Sequence, residues 1–362
     1  MLKTFNIEGY RGFNRFEMRN LGQINLLVGT NNSGKTSILE ALYLLARAGD
    51  PFALASIISK RGEISDSTED ELEIFHLFNG HDPQVGAHFS FSATGMSPAK
   101  SVKFSLEERP PEKLPLFPNT DGDLYPRLVL NISGTNNKPS SSAAQILLNR
   151  NGCFVTEYLE YTRRRRPSYN FRSIPAQYVS TESLAVSTLK ALWDQVVLTD
   201  EELTVLEALK FIDPKIERIA AISTKNSFRA NFSRGGFKVK IRDSLTPIPI
   251  GSLGDGTWRI LALAIALIKS KDGLLLVDEI DTGLHYSVMA NMWRLVSSVA
   301  KANNIQVFAT SHSHDCVQSL AMLCKEDSNN GDISIQRIES NRSFSFSESQ
   351  IKMAADRDIE VR

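Results

Sequence analysis

The chain has 362 residues, with 41 Lys plus Arg matched by 41 Asp plus Glu and 42% hydrophobic side chains. That length suits one large α/β domain with an insertion or two small domains, and the even charge excludes a global basic field for nucleic acid while leaving a local basic patch open. Cys153, Cys316 and Cys324 form no CxxC pair, so neither a disulfide framework nor a zinc site is suggested, and the most apolar stretch, 260–268, is too short to span a bilayer; a soluble, cytoplasmic protein with no membrane partner is expected.

In chain order, residues 2–7 alternate like an edge strand, and 23–28 read as a short buried strand running into a glycine-rich turn. A helix is expected from Lys35 to about Arg47, because Ile38, Leu39, Leu42, Leu45 and Ala46 recur at helical spacing and Gly49, Asp50 and Pro51 close it. From about 65 to 155 the composition is turn-rich, with strand candidates at 87–92, 102–107 and 128–132. The stretches 109–125 and 134–144 read as its mobile loops. Helices are expected at 184–196 and 200–211, where Thr199 is placed to cap the second with Glu202 completing a capping box. A strand-rich stretch covers 216–241, and then come a helix at 257–269, a strand at 274–277, a helix at 286–302 and a strand at 306–309.

Strands alternating with helices predict an α/β fold with a mostly parallel central sheet covered by helices. The expected organisation is one discontinuous domain over 1–362. Its core takes 1–60 and 170–325, a β-rich subdomain over about 65–160 is inserted after the helix that begins at Lys35, and 326–362 form a short C-terminal extension.

The strongest motif is GTNNSGKT at 29–36, which fits the P-loop pattern at every fixed position and lies between an apolar strand and an amphipathic helix. Gly29, Thr30, Asn31, Asn32, Ser33 and Gly34 form a turn whose amides can face phosphates, with Ser37 in the helix start. Lys35 is expected to reach the β- and γ-phosphates of ATP, and the Thr36 hydroxyl to ligate Mg²⁺. The loop reads phosphates and not the base.

LLLVDEID at 274–281 supplies a buried strand with Asp278 at its end, where a carboxylate can hold the metal, and Glu279 next to it as a candidate general base. SLGDGTWRILALAIAL, from Ser252, puts a second glycine-rich turn, Gly254, Asp255 and Gly256, at the start of a helix. FATSHSHD at 308–315 delivers Ser311 and His312 after a strand, and His312 is placed to contact and sense the γ-phosphate. His314 is the weaker of the two histidines, and His285, near Asp281, reads as lining a subunit contact.

With FNIEGYRGF at the start and these motifs in this order, the chain resembles the SMC, RecF and OLD-like branch of the ABC-type ATPases, and within it the ATPase group found in OLD-type and bacterial anti-phage proteins. The resemblance covers the first 50 residues and roughly 170–320. It implies ATP hydrolysis between two heads in opposite orientations, with the signature turn Gly254–Gly256 holding the γ-phosphate of the opposite subunit and Asp281 in a loop that meets that subunit. The turn departs from the L-S-G-G-Q pattern, since Gly254 stands where a serine is expected. Gln177 is open to two readings, a holder of Mg²⁺ or water and a buried polar residue. About forty residues follow the histidine motif, too few for the Toprim domain of OLD nucleases, so cutting of nucleic acid is not expected.

TRRRRPSYNFR at 162–172 gathers Arg163, Arg164, Arg165, Arg166 and Arg172 beside Tyr169 and Phe171. It suits phosphate contact and base stacking and equally suits a solvated loop or a dock for an acidic protein. The favoured reading is a Mg²⁺-dependent ABC-type ATPase that forms homodimers or larger homo-oligomers and regulates a separately encoded effector in anti-phage defence, the last point by family resemblance alone. The alternatives are a RecF-like, ATP-gated DNA-binding mediator and a scaffold that binds ATP and barely turns over.

Overall fold

The computed structural model describes residues 1–65, 71–96, 100–108, 128–134, 144–149, 151–155, 159, 173–222, 236–242, 244–326 and 332–357. The arginine-rich stretch 162–172 and the loops expected at 109–125 and within 134–144 lie outside these residues, apart from the flanking Gly134 and Ala144. The chain divides into two compact units. The first takes Met1–Asn20, Asn32–Ile174 and Ile338–Ser343; the second takes Leu21–Asn31, Pro175–Arg337 and Phe344–Arg362.

The chain opens with β1 (Thr4–Tyr10), β2 (Phe13–Met18) and β3 (Ile24–Val28). Then follow β4 (Glu71–Glu73), β5 (His88–Thr94), β6 (Lys100–Glu108), β7 (Leu128–Gly134), β8 (Ala144–Leu148) and β9 (Cys153–Val155). In the first unit one antiparallel sheet runs β2-β1-β5-β6-β7-β8, with β4 and β9 paired separately. Alternation along β1 buries Phe5 and Ile7 on the face that also carries Phe89, Phe91 and Phe104. Phe89 and Phe104 stack with ring centroids 4.6 Å apart.

The edge-strand expectation for residues 2–7 is corrected, because β1 has β2 on one side and β5 on the other. Alternation reports one solvated face and carries no information about lateral neighbours. A second difference follows the helix Lys35–Ala46. The residues read as its stop also start another helix, Pro51–Lys60, where the Asp50 carboxylate accepts from the Phe52 amide at 3.0 Å and Pro51 sits at the first helical position.

A buried polar cluster ties these first-unit elements together. Glu40, on the helix Lys35–Ala46, faces the Arg11 guanidinium at 3.1 Å and the Arg61 guanidinium at 2.7 Å, while the Tyr10 hydroxyl donates to it at 3.2 Å. Arg11 also forks onto Glu63, and Arg61 reaches the Ser37 hydroxyl at 3.2 Å. Burial and the Glu40 charge push the Tyr10 phenol up, which keeps it a neutral donor.

The second unit adds β10 (Ala176–Val179), β11 (Ile216–Ala221), β12 (Phe237–Ile241) and β13 (Ile248–Pro249). Its last strands are β14 (Leu274–Val277), β15 (Gln306–Thr310), β16 (Ile333–Glu339) and β17 (Arg342–Ser347), of which Ile338, Glu339, Arg342 and Ser343 are counted with the first unit. The main sheet runs β10-β14-β15-β3-β16-β17, and β10, β14, β15, β3 and β16 pair in parallel. β14, β15 and β3 are buried at every position, the pattern of a sheet covered on both faces. The helix Asp255–Ile268 is buried from Thr257 to Ile268, so its run LALAIALI reflects a helix enclosed on all sides. β16 lies in the stretch 326–362 expected to be a short C-terminal extension, and it pairs directly with β3.

The capping box at Thr199 is corrected. Glu202 accepts instead from the Leu198 amide at 2.8 Å, and the Thr199 hydroxyl accepts from the Glu201 amide at 3.3 Å while donating to the Val196 carbonyl. Among the described residues no helix is long and apolar enough to cross a membrane.

Removing one partner of a buried ion cluster strands the others. Glu40→Ala is therefore expected to lower the unfolding free energy by about 3 kcal/mol, read as a lower urea midpoint.

Candidate functional site

Parallel register brings four strand ends to one edge of the second unit's sheet. Val277 pairs with Ala309 and Val179, and Thr310 pairs with Leu27. The segments that leave this edge are therefore, in spatial order, Ser180 and Thr181, Asp278 and Glu279, Ser311 and His312, and Gly29 onward. The carboxyl edge of an open parallel sheet is where such folds place their ligands.

At its centre Asp278 is buried and Glu279 half-buried. The Thr310 hydroxyl donates to Asp278 Oδ1 at 2.7 Å and accepts from the Glu279 amide, also at 2.7 Å. Thr181 Oγ1 lies 3.5 Å from Asp278 Oδ2. Glu279 has φ 47°, a left-handed conformation that is costly for this residue type; its carboxylate accepts from the Thr282 hydroxyl at 3.0 Å. A carboxylate beside hydroxyls forms a hard oxygen donor set suited to Mg²⁺.

Arg259 completes this edge, and the sequence motifs did not single it out. Its guanidinium, on the helix Asp255–Ile268, donates to the carbonyls of Ser180 and Asp278, each at 2.6 Å, and of Glu279 at 2.9 Å. Burial lowers its pKa, against the opposing pull of Asp278, Asp281 and Glu279.

The glycine-rich turn expected at Gly254, Asp255 and Gly256 is present at the N-terminus of that helix. Gly254 has φ 91° and precedes the first helical residue, Asp255. Gly256 has no room for a side chain, because a Cβ there would stand 2.9 Å from the Gly283 carbonyl. The start of this helix is thus packed against the loop that follows the acidic strand.

In the P-loop, Gly29, Thr30 and Asn31 belong to the second unit, and Asn32 to Ser37 to the first. Asn32 at φ 61° and Gly34 at φ 91° give the positive backbone angles of an anion-cradling turn. A Cβ on Gly34 would collide with the Phe13 ring. In the first unit Lys35 is buried and its ammonium donates to the Ser33 hydroxyl at 3.3 Å, while Thr36 and Ser37 form the first turn of the helix.

His312 is exposed and follows the buried Ser311. His314 opens the helix His314–Glu326. His285 caps the helix Tyr286–Ala302, accepting from the Ser287 amide at 3.4 Å. Gln177 lies inside β10 opposite Leu275, two residues short of the strand end, and Thr181 takes the position beside Asp278. Among the described residues, a buried carboxylate oxygen of Asp281 has no hydrogen-bond partner.

Residues 24–315 match the family model described as "AAA domain, putative AbiEii toxin, Type IV TA system". An ATP/GTP phosphatase of Helicobacter pylori is 22% identical over 347 residues, spanning 90% of this chain and 89% of that protein. A DNA replication and repair protein RecF of Shewanella baltica is 37% identical over 78 residues, only 22% of this chain and 20% of that protein. Among solved structures, an SMC head bound to the C-winged helix domain of ScpA aligns with a TM-score of 0.50 at 12% identity, covering 96% of this chain and 97% of that one. That likeness concerns the fold alone, an α/β head built on a central sheet covered by helices.

Thr310→Val keeps the side-chain shape and removes the hydroxyl that joins Asp278 to the Glu279 amide. It is expected to cost about 2 kcal/mol of stability, with Thr310→Ser recovering most of the loss in the same denaturation series.

Proposed function

The chain belongs to the AAA-domain family whose model it matches, and from that premise we propose that this ATPase binds Mg²⁺-ATP through the P-loop and hydrolyses it with the acidic pair Asp278 and Glu279. Lys35 holds the β- and γ-phosphates, with the amides of Gly29, Thr30, Asn31, Asn32, Ser33, Gly34 and Ser37 around them. Thr36 and Asp278 hold the metal, which on binding offsets the charge that builds on the phosphates. Glu279 takes the proton of the attacking water, and His312 contacts the γ-phosphate.

The observation that carries this reading is the single edge of the second unit's sheet from which Gly29, Asp278 and Ser311 emerge. Similarity over nearly the whole length to an ATP/GTP phosphatase supports it. The resemblance of the motif SLGDG to the signature turn of ABC-type heads supports homodimers or larger homo-oligomers in which Gly254, Asp255 and Gly256 meet the nucleotide of a second copy. The toxin and TA system named in the family description support a role beside a separately encoded effector, and the resemblance of the sequence motifs extends the proposal to a cytoplasmic, OLD-like head that regulates such an effector in anti-phage defence.

One comparison favours a second reading, an ATP-gated DNA-binding mediator, through the short RecF match. Under it, Arg163, Arg164, Arg165 and Arg166 contact the phosphate backbone.

Phosphate release under saturating Mg²⁺-ATP tests the main reading. Glu279→Gln is expected to lower kcat about 100-fold while ATP binding persists, and Lys35→Ala to weaken that binding at least about tenfold. Turnover unchanged in Glu279→Gln removes the proposed base. Salt-dependent DNA binding that disappears when the four consecutive arginines are replaced would favour the mediator instead.

A further inference from the structure

Arg259 is out of place in the helix that carries it. The residues after it, ILALAIALI, are apolar and buried, and at 3% exposure a hydrophobic side chain would satisfy the packing at this position without the cost of burying a cation. The guanidinium nevertheless reaches across to two strand ends. One nitrogen donates to Ser180 O at 2.6 Å and lies 3.5 Å from Thr181 O, beyond β10. The other donates to Asp278 O at 2.6 Å and Glu279 O at 2.9 Å, beyond β14.

Two properties of this contact matter. The guanidinium is planar with donors in a fixed fork, so the gap between the two strand ends is set by the helix and not by the strands alone. Glu279 also sits at φ 47°, a conformation that persists only where neighbours over-determine it. Arg259 fixes its carbonyl and the Thr310 hydroxyl fixes its amide. The main chain on both sides of the Glu279 Cα is thus held by groups from other elements.

The same helix begins at the turn Gly254–Gly256, one turn before Arg259, and Gly256 packs against the Gly283 carbonyl beyond the acidic strand. An α-helix transmits a displacement over one turn with little loss, so the turn and the guanidinium move together. On the reading of the site given above, on which this inference rests, we propose that Arg259 is a positioning residue that couples the signature turn to Glu279. Engagement of the turn by the nucleotide of a second copy shifts the helix, and Arg259 carries that shift to the main chain of Glu279, aiming its carboxylate at the attacking water. Hydrolysis is thereby made dependent on head pairing.

The test compares the full-length chain with Arg259→Lys and Arg259→Gln. Lysine keeps the charge and reach but loses the fork, and glutamine keeps a donor pair without the charge; either variant that folds decides the matter. Three quantities are read: affinity for a fluorescent ATP analogue, KM and kcat for Mg²⁺-ATP, and the rise of specific activity with protein concentration. The expected result is analogue affinity and KM within about threefold of the unaltered protein, kcat lower by about 30-fold or more, and specific activity that no longer rises with concentration. A purely structural role would lower the melting temperature and scale all activity by the folded fraction, leaving the concentration dependence in place. That outcome, or an unaltered kcat in Arg259→Lys, overturns the coupling. An unaltered protein that neither binds the analogue nor releases phosphate overturns the functional reading itself, and the coupling with it.

Discussion

The parallel register of β10, β14, β15 and β3 is the constraint on which the site depends. Parallel neighbours cannot be joined by tight turns, so each needs a long crossover, and all their carboxyl ends fall on one side. Strands lie about 4.8 Å apart, which puts Thr181, Asp278, Ser311 and Gly29 in a row that no local sequence feature would produce. What the apolar strands LLLV, QVFAT and INLLV contribute to function is this placement of the residues that follow them.

Register alone would not fix the carboxylates. Asp278 is held by the Thr310 hydroxyl, and Glu279 is kept in a left-handed conformation between that hydroxyl and Arg259. Strain of this kind and a buried cation both work against stability and are found where pre-organisation is the gain. The first unit shows a comparable arrangement around the P-loop helix, where Glu40 faces Arg11 and Arg61 and the latter reaches Ser37.

Much of this was legible in the sequence because it is local. The lysine turn, the acidic strand and the helices at 35–46, 255–268 and 286–302 follow from spacing within a few residues of each other. What was missed depends on partners far along the chain. Arg259 looks like one polar residue at the foot of an apolar helix until Ser180 and Asp278 are brought to it across 79 and 19 positions. Thr310 ends the apolar strand QVFAT, and nothing near it in sequence marks its hydroxyl as the partner of Asp278, 32 positions away. β16, ISIQRIE, carries buried Ser334 and Gln336, and its place beside β3 is set by pairing rather than by an apolar run. Asp50 and Pro51 read as the end of one helix because a stop and a start share the same residue types.

The most direct test of the central claim, that one sheet edge receives the triphosphate and its metal, is hydrogen exchange along the full chain with and without Mg²⁺-ATP. The account predicts slowed exchange of amides at 29–37, 180–181, 278–282 and 311–313, and unchanged exchange at the amino ends of the same strands. Protection absent from these segments, or confined to the opposite edge, would contradict it.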